Sequence, residues 1–424
     1  MKQNTNIIAI GFLIFFLLLT ASCSRKKEAR ALNVIPVAST VGDYSILNLS
    51  DFASDIRYIP LETNDSILLG GIYKIICERD KILIGDIYGL SGTGAYSLFD
   101  NNGKFLRKIG RHGQGPGEYV QTSDFWMDEH FIYLQDKIKL LIYDFNGQLV
   151  ETRKLLSEMI SEKYTPIHES HSKIISLNKD TFVLDVTSMT ETYPKAILLE
   201  TYQSGMKIIK EYSSHVKIDK VRPALFANEE ATLYRFNDEV RTYKIINDTI
   251  FTIGQDTEMQ DAFIIDFGKY RLPLSYIEGK EGRSDNSIKN FIRLYRFRES
   301  LNYLFIQFDF GNHAPEPIEG INVQGNPYSL GDVYGVFDKR TGALALMRQP
   351  IKGILGFKND IDDLLPVFWP KYISPNNEMV TNISAEEFLN YYKKVENPTL
   401  QMTEIAKNIK WDDNDIVVVV KLKD

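Results

Sequence analysis

Cysteine is almost missing from this chain. Its 424 residues hold only Cys23 and Cys77, so a disulfide framework is excluded. Histidine is scarce too, at six residues, and "HESH" over 168–171 is the one close pair. Two histidines at that spacing lack the further ligand a zinc centre needs, so they read as part of a solvated loop. "DDND" at 412–415 lacks the alternating ligands and the glycine of a calcium loop, and reads as the turn before a final strand. Neither a G-x-S-x-G elbow nor a Walker sequence occurs. No metal and no cofactor is therefore expected. The chain has no excess of positive charge; its formal net charge of -7 argues against a nucleic-acid partner.

Long apolar runs are also few. The one that stands out, Ile7 to Leu19, is too short to span a membrane comfortably and suits the core of a signal peptide, with Lys2 as its positive lead. The small residues Thr20, Ala21 and Ser22 directly before Cys23 resemble a bacterial lipobox, although Thr20 stands where leucine is usual. That resemblance implies that Cys23 is lipidated and begins the mature chain. Residues 1–22 then form a lipoprotein signal peptide and 23–45 a tether, with Arg25, Lys26 and Lys27 able to lie on anionic headgroups. Cys77, among the apolar residues of "YKIICERD", reads as a buried small hydrophobe.

What is abundant is strand-forming residues: 23 Tyr and 24 Phe, in short runs of period two bounded by Asp, Asn and Gly. "AYSLFDNNGKFLRKIG" and "KLLIYDFNGQLVETRKL" repeat one pattern of strand, Asp, Asn-Gly turn and second strand, with Gly103 and Gly147 44 residues apart. Each is preceded by a strand ending in an aspartate, Asp86 and Asp136. A period in the forties with about four strands per unit is that of a propeller blade. Weaker echoes at Gly205, Gly268 and Gly342 follow at spacings of 58, 63 and 74. Five units and a sixth made from the chain ends predict an all-β, six-bladed β-propeller over 46–424. "DIRYIPLET" and "DIVVVVKLK" are the expected closing pair. A capping box at Ser384 and Glu387 predicts a short C-terminal helical insertion, with a second helix over 399–408. Phe368 and Trp369 read as packing.

The stretch from Lys81 to Leu149 looks like tandem NHL-type repeats. Three motifs, "LSDFASDIRYIPLETND" at 49–65, "GQGPGEY" at 113–119 and "DNDIVVVVKLK" at 413–423, together resemble the six-bladed β-propeller lipoproteins of Bacteroidetes. The resemblance covers essentially the whole mature chain and implies a fold and an envelope location, not a reaction. No acidic cluster of the kind found in surface-exported members follows Cys23, which places the expected site on the periplasmic face of the outer membrane.

The glycine-rich stretch "IGRHGQGPGEYV" is followed by a strand rather than a helix, so a dinucleotide loop is excluded. It reads as a crossing between blades, with Gly113, Gly115, Pro116 and Gly117 shaping the turn and Tyr119 packing. Arg111, His112, Gln114 and Glu118 are the candidate ligand contacts. Two functional classes remain. One is a non-catalytic binding or scaffold module for an unknown protein or glycan. The other is a metal-assisted hydrolase or lyase using the central funnel.

Overall fold

The computed structural model describes residues 33–88, 93–136, 139–154, 173–186, 195–202, 205–213, 233–244, 247–278, 286–322 and 324–423. The expected signal peptide, Cys23 and the "HESH" histidines lie outside them.

Alternating apolar runs separated by Asp, Asn and Gly turns form strands throughout. The chain first lays down β1 (Asn33–Ile35), β2 (Tyr44–Ser45) and β3 (Ala53–Pro60). The first meander is β4 (Gly71–Glu78), β5 (Lys81–Tyr88), β6 (Thr93–Asp100) and β7 (Phe105–Lys108). A crossing that contains β8 (Arg111–His112) and β9 (Glu118–Tyr119) leads to the second: β10 (Thr122–Met127), β11 (Ile132–Asp136), β12 (Lys139–Tyr143) and β13 (Leu149–Lys154). The third is β14 (Lys173–Ser176), β15 (Thr181–Val186), β16 (Lys195–Tyr202) and β17 (Gly205–Ser213). The fourth is β18 (Leu233–Phe236), β19 (Glu239–Tyr243), β20 (Thr249–Ile253) and β21 (Met259–Ile265). The fifth has β22 (Arg293–Glu299) and β23 (Tyr303–Asp309), an inserted hairpin of β24 (Ile318–Ile321) and β25 (Pro327–Leu330), then β26 (Asp332–Asp338) and β27 (Ala343–Met347). After β28 (Phe357–Lys358) and β29 (Val367–Phe368), the last meander is β30 (Tyr372–Ile373), β31 (Glu378–Ile383) and β32 (Ile416–Leu422), completed by β3.

The first strands pack in a ring. β4 touches β10, β10 touches β14, β14 touches β18, β22 touches β30, and β30 returns to β4. Tyr234 of β18 meets Phe297 of β22 edge-on at 5.2 Å, which joins the remaining gap. This is an all-β propeller. The expectation of six separate blades needs a correction: among the described residues, sheets of four or more strands number five. One parallel pairing, Lys154 with Gly205, merges the outer edges of the second and third meanders into a single eight-stranded sheet.

The repeat seen in sequence has a physical cause. Asp100 accepts backbone hydrogen bonds from Asn102 and Lys104, and Asp144 accepts them from Asn146 and Gln148. Gly103 and Gly147 follow at φ +83° and +73°, a region that costs a residue with a Cβ. Gly342 takes the same place between β26 and β27. Gly268 does not: it follows β21, and the equivalent turn of the fourth meander is at Gly254, whose carbonyl accepts from Thr257.

Two further expectations change. Residues 33–45, read as part of a tether, are packed: β1 pairs in parallel with β21, β2 with β27, and Ile35 and Val37 are fully buried. The closing pair forms as expected, with β32 running antiparallel to β3 from Ala53–Leu422 to Pro60–Ile416. Its unbroken Ile-Val-Val-Val-Val run is explained by burial on both faces: Val418 and Val420 join one core cluster, Val417 and Val419 another. The helices Ala385–Tyr392, with its Ser384–Glu387 capping box, and Leu400–Asn408 sit between β31 and β32. Phe368 is buried, and Trp369 stacks on Phe357 with ring centroids 5.5 Å apart.

Candidate functional site

Because neighbouring strands are antiparallel, each first strand begins, and each second strand ends, on one face of the propeller, called here the upper face. The glycine-rich crossing lies on it. Within the crossing β8 and β9 pair in parallel, and Glu118 closes the turn. Its Oε2 accepts from the Gly115 amide at 2.7 Å, and its Oε1 lies 2.5 Å from Arg111 Nε. The Gly115 amide, and after it Arg111, hold the Glu118 carboxyl below its ordinary range. A Cβ on Gly113 would come within 2.1 Å of Glu118 Oε2, so glycine lets the carboxylate in. Tyr119 is buried and meets Tyr96 edge-on at 5.2 Å. Arg111, His112, Gln114 and Pro116 are exposed. Of the four candidate contacts, the fold pairs Arg111 with Glu118 and leans His112 on Tyr119 at 6.4 Å. From the second meander, Lys139 reaches the Glu118 carbonyl at 2.7 Å.

Asp86 and Asp136, both on second strands, bond to the chain that enters the first strands. Asp86 accepts from the Gly70 amide at 2.9 Å, and Asp136 from the amides of Val120 and Gln121. Both therefore tie the chain entering a first strand to the second strand beside it.

Nearer the axis, three first strands carry a bulge close to their start, at Tyr73, Ser123 and Tyr295. A bulge re-aims a side chain and raises the local twist. Tyr73 is 47% exposed yet fixed: its hydroxyl donates to Tyr96, and its ring meets Phe125 edge-on at 5.9 Å. The space for it comes from Gly85, where a Cβ would stand 3.0 Å from Tyr73 Cζ. Beside it Lys74 Nζ lies 2.5 Å from Asp124 Oδ1 and donates to the Phe125 carbonyl.

The fifth meander adds a polar group that the sequence reading missed. In register, Arg293, Asp309 and Asp332 form one cross-strand row, and Arg296, Gln307 and Tyr334 the next, on one face of the sheet. Arg293 Nη2 and the Tyr295 hydroxyl both donate to Asp309 Oδ2. Burial, and then the Asp309 charge, push the Asp332 carboxyl up, while Arg293 pulls the other way. The signal was present in "RLYRFRE", "FIQFD" and "DVY", where polar residues alternate through strands that the fold buries.

At the opposite face, Glu78 ends β4 half-buried. Burial pushes its carboxyl up to about 7, against the pull of Arg235. Among the described residues no three His, Cys, Asp or Glu side chains gather as metal ligands.

Fold and site define an all-β propeller with a polar upper face. The chain belongs to the family described as "Domain of unknown function (DUF4934)", which matches residues 32–421. None of the curated proteins matches it. Among solved structures it is similar to an exported protein of Bacteroides fragilis, at 18% identity and a TM-score of 0.65, over 92% of this chain and 100% of that one. A DUF4221 family member from Bacteroides vulgatus gives 10% identity and a TM-score of 0.46, over 88% and 97%. Virginiamycin B lyase from Staphylococcus aureus gives 11% and 0.36, over 70% and 90%.

Proposed function

We propose that this is an envelope protein anchored through lipid on Cys23, facing the periplasm from the outer membrane. It serves as a non-catalytic binding or scaffold module. The similarity to an exported Bacteroides protein supports the location. The observation that carries the binding role is Tyr73: a half-exposed ring, locked by Tyr96 and Phe125, beside the Lys74–Asp124 pair. A rigid aromatic with an adjacent charge pair has the character of an interface anchor, because little conformational freedom is lost on contact.

A photo-crosslinker placed at residue 73 in living cells tests this. The expected product is one envelope component, lost when Lys74→Glu is added. Crosslinks equal to those from residue 150 on the outer edge would overturn it, as would turnover of an envelope substrate by the purified chain. Cys23→Ala is expected to release the protein from membranes; unchanged fractionation and mass would refute the anchor.

A further inference from the structure

The inserted hairpin of the fifth meander, β24 and β25, pairs with no other strand among the described residues. It leaves the upper face between β23 and β26. A lone two-stranded ribbon is marginal in water, so its apolar side chains would ordinarily be turned onto a neighbouring surface. In register, Ile318 and Gly320 stand opposite Leu330 and Tyr328. A Cβ on Gly320 would come within 2.5 Å of Tyr328 Cζ, so the ring lies over the glycine. Tyr328 and Leu330 are nevertheless exposed, and Ile321 at the tip is 74% exposed.

A second apolar projection stands beside the hairpin. β27 ends on the same face at Met347, and the turn that follows exposes Ile351 and Ile354. Ile46, also exposed, lies between the two legs of that turn: the Arg348 amide donates to the Ser45 carbonyl and the Lys358 amide to the Leu47 carbonyl. Glu316, at the base of the hairpin, ties the two projections together. It accepts from Arg348 Nε and from the Gln349 amide, each at 2.9 Å. Residues 318–331 and 349–356 carry only two charged side chains, Glu319 and Lys352, in a chain that is 25% charged. A patch that is exposed, apolar and almost free of charge marks an interface with protein or with lipid.

The chain's own anchor chooses between the two. Asn33 is the tenth residue after Cys23, and ten residues span at most about 36 Å. The chain joins the fold at this same edge: the helical turn Val37–Thr40 packs on β27, and β2 pairs with β27 just before Ile46. We propose that the hairpin tip and the Ile351–Ile354 turn dip into the lipid surface to which Cys23 is anchored. Ile321, Ile351 and Ile354 enter the boundary of headgroups and acyl chains, and Tyr328 sits at headgroup level. Lys352 keeps its ammonium among the phosphates. The scarcity of charge lets the patch enter without stripping water from ions. The inference rests on the lipid anchor proposed above and not on the Tyr73 contact.

The test uses the full lipidated chain in vesicles of phosphatidylethanolamine and phosphatidylglycerol. A polarity-sensitive fluorophore is attached to Ile321→Cys, to Ile354→Cys or, as a control on the outer edge of the second meander, to Val150→Cys, each in a Cys77→Ala background. Melting temperatures show that each labelled chain is folded, and the two patch sites are read independently. At residues 321 and 354 the emission is expected to shift to the blue. Lipids with a nitroxide just below the headgroup are expected to quench it at least about twofold more than at residue 150. Quenching no greater than at residue 150, in a chain that floats with the vesicles, overturns the docking and leaves the Cys23 anchor standing. A chain that does not float overturns both. A blue shift without quenching shows that protein, such as a second copy of the chain, covers the patch, and it too overturns the proposal.

Discussion

Lys74 Nζ stands 2.5 Å from Asp124 Oδ1 and joins the first strands of two successive meanders. Burial by itself would raise the Asp124 carboxyl; Lys74 and Lys173 more than offset it and leave it below its ordinary range. A carboxyl depressed on folding contributes stability above its unfolded value near 3.9, and that stability is lost as pH falls through the folded value. Lys74→Met is expected to cost about 2 kcal/mol at pH 7, less than for a fully buried pair because Lys74 is partly solvated. Urea unfolding measures it; a loss under about 0.5 kcal/mol would place the pair among solvent-screened surface contacts.

Gly103 and Gly147 are equivalent turns with unequal surroundings. A Cβ at Gly103 would stand 2.0 Å from the Pro60 carbonyl oxygen, whereas at Gly147 the nearest atom is an Arg107 side-chain carbon at 3.2 Å. Gly147→Ala is expected to cost about 1 kcal/mol from its positive φ, and Gly103→Ala about 3 kcal/mol or more, because backbone must move as well. Equal melting temperatures for the two variants would contradict this.

Glu78 gives the fold a pH dependence of the opposite sign to Asp124. Its folded value near 7 lies above the unfolded carboxylate range, so its contribution is intact below about pH 4 and is lost as pH rises toward 7. Glu78→Gln should raise the melting temperature at pH 8 and leave it unchanged at pH 4. The half-exposure of the site keeps the gain to about 1 kcal/mol. A gain at both pH values would assign the effect to packing.

In the glycine-rich crossing, Gly113→Ala should expel the Glu118 carboxylate from its seat, break its bond from the Gly115 amide and lower the melting temperature. Arg111→Ala should lower it less, since Arg111 is 82% exposed. Thermal unfolding of the two variants compares them directly; the reverse order would make the ion pair, not the turn, the support of this loop.

Burial pushes the Cys77 thiol up to about 12. Iodoacetamide at pH 8 is therefore expected to leave Cys77 unmodified in the folded chain and to label it in urea. Rapid native labelling, followed by mass, would show that its strand opens.

What could be read in advance follows from the range of the forces involved. Asn-Gly turns, period-two strands and the Ser384 capping box are local, and each appeared where its residues predicted it. Gly268 misled because a glycine after a strand looks the same whether it turns a hairpin or ends a blade. The pairing of Ile35 and Ser45 depends on edges more than 200 residues away, at Ile265 and Met347. The polar rows were missed for the same reason: alternation in one strand names a face, but only the register of three strands shows Asp332 beside Asp309.

The joining of β3 to β32 also orders events in time. β3 is among the first strands made, yet its neighbour in the sheet is 416–422. Through nearly all of synthesis it has no partner, and the ring stays open with both edges bare. A chain cut or stalled before Ile416 could form its middle blades but could not hide those edges. Closure thus works as a check on length, in which only a chain carried through Leu422 loses the exposed edges that degradation and aggregation act upon.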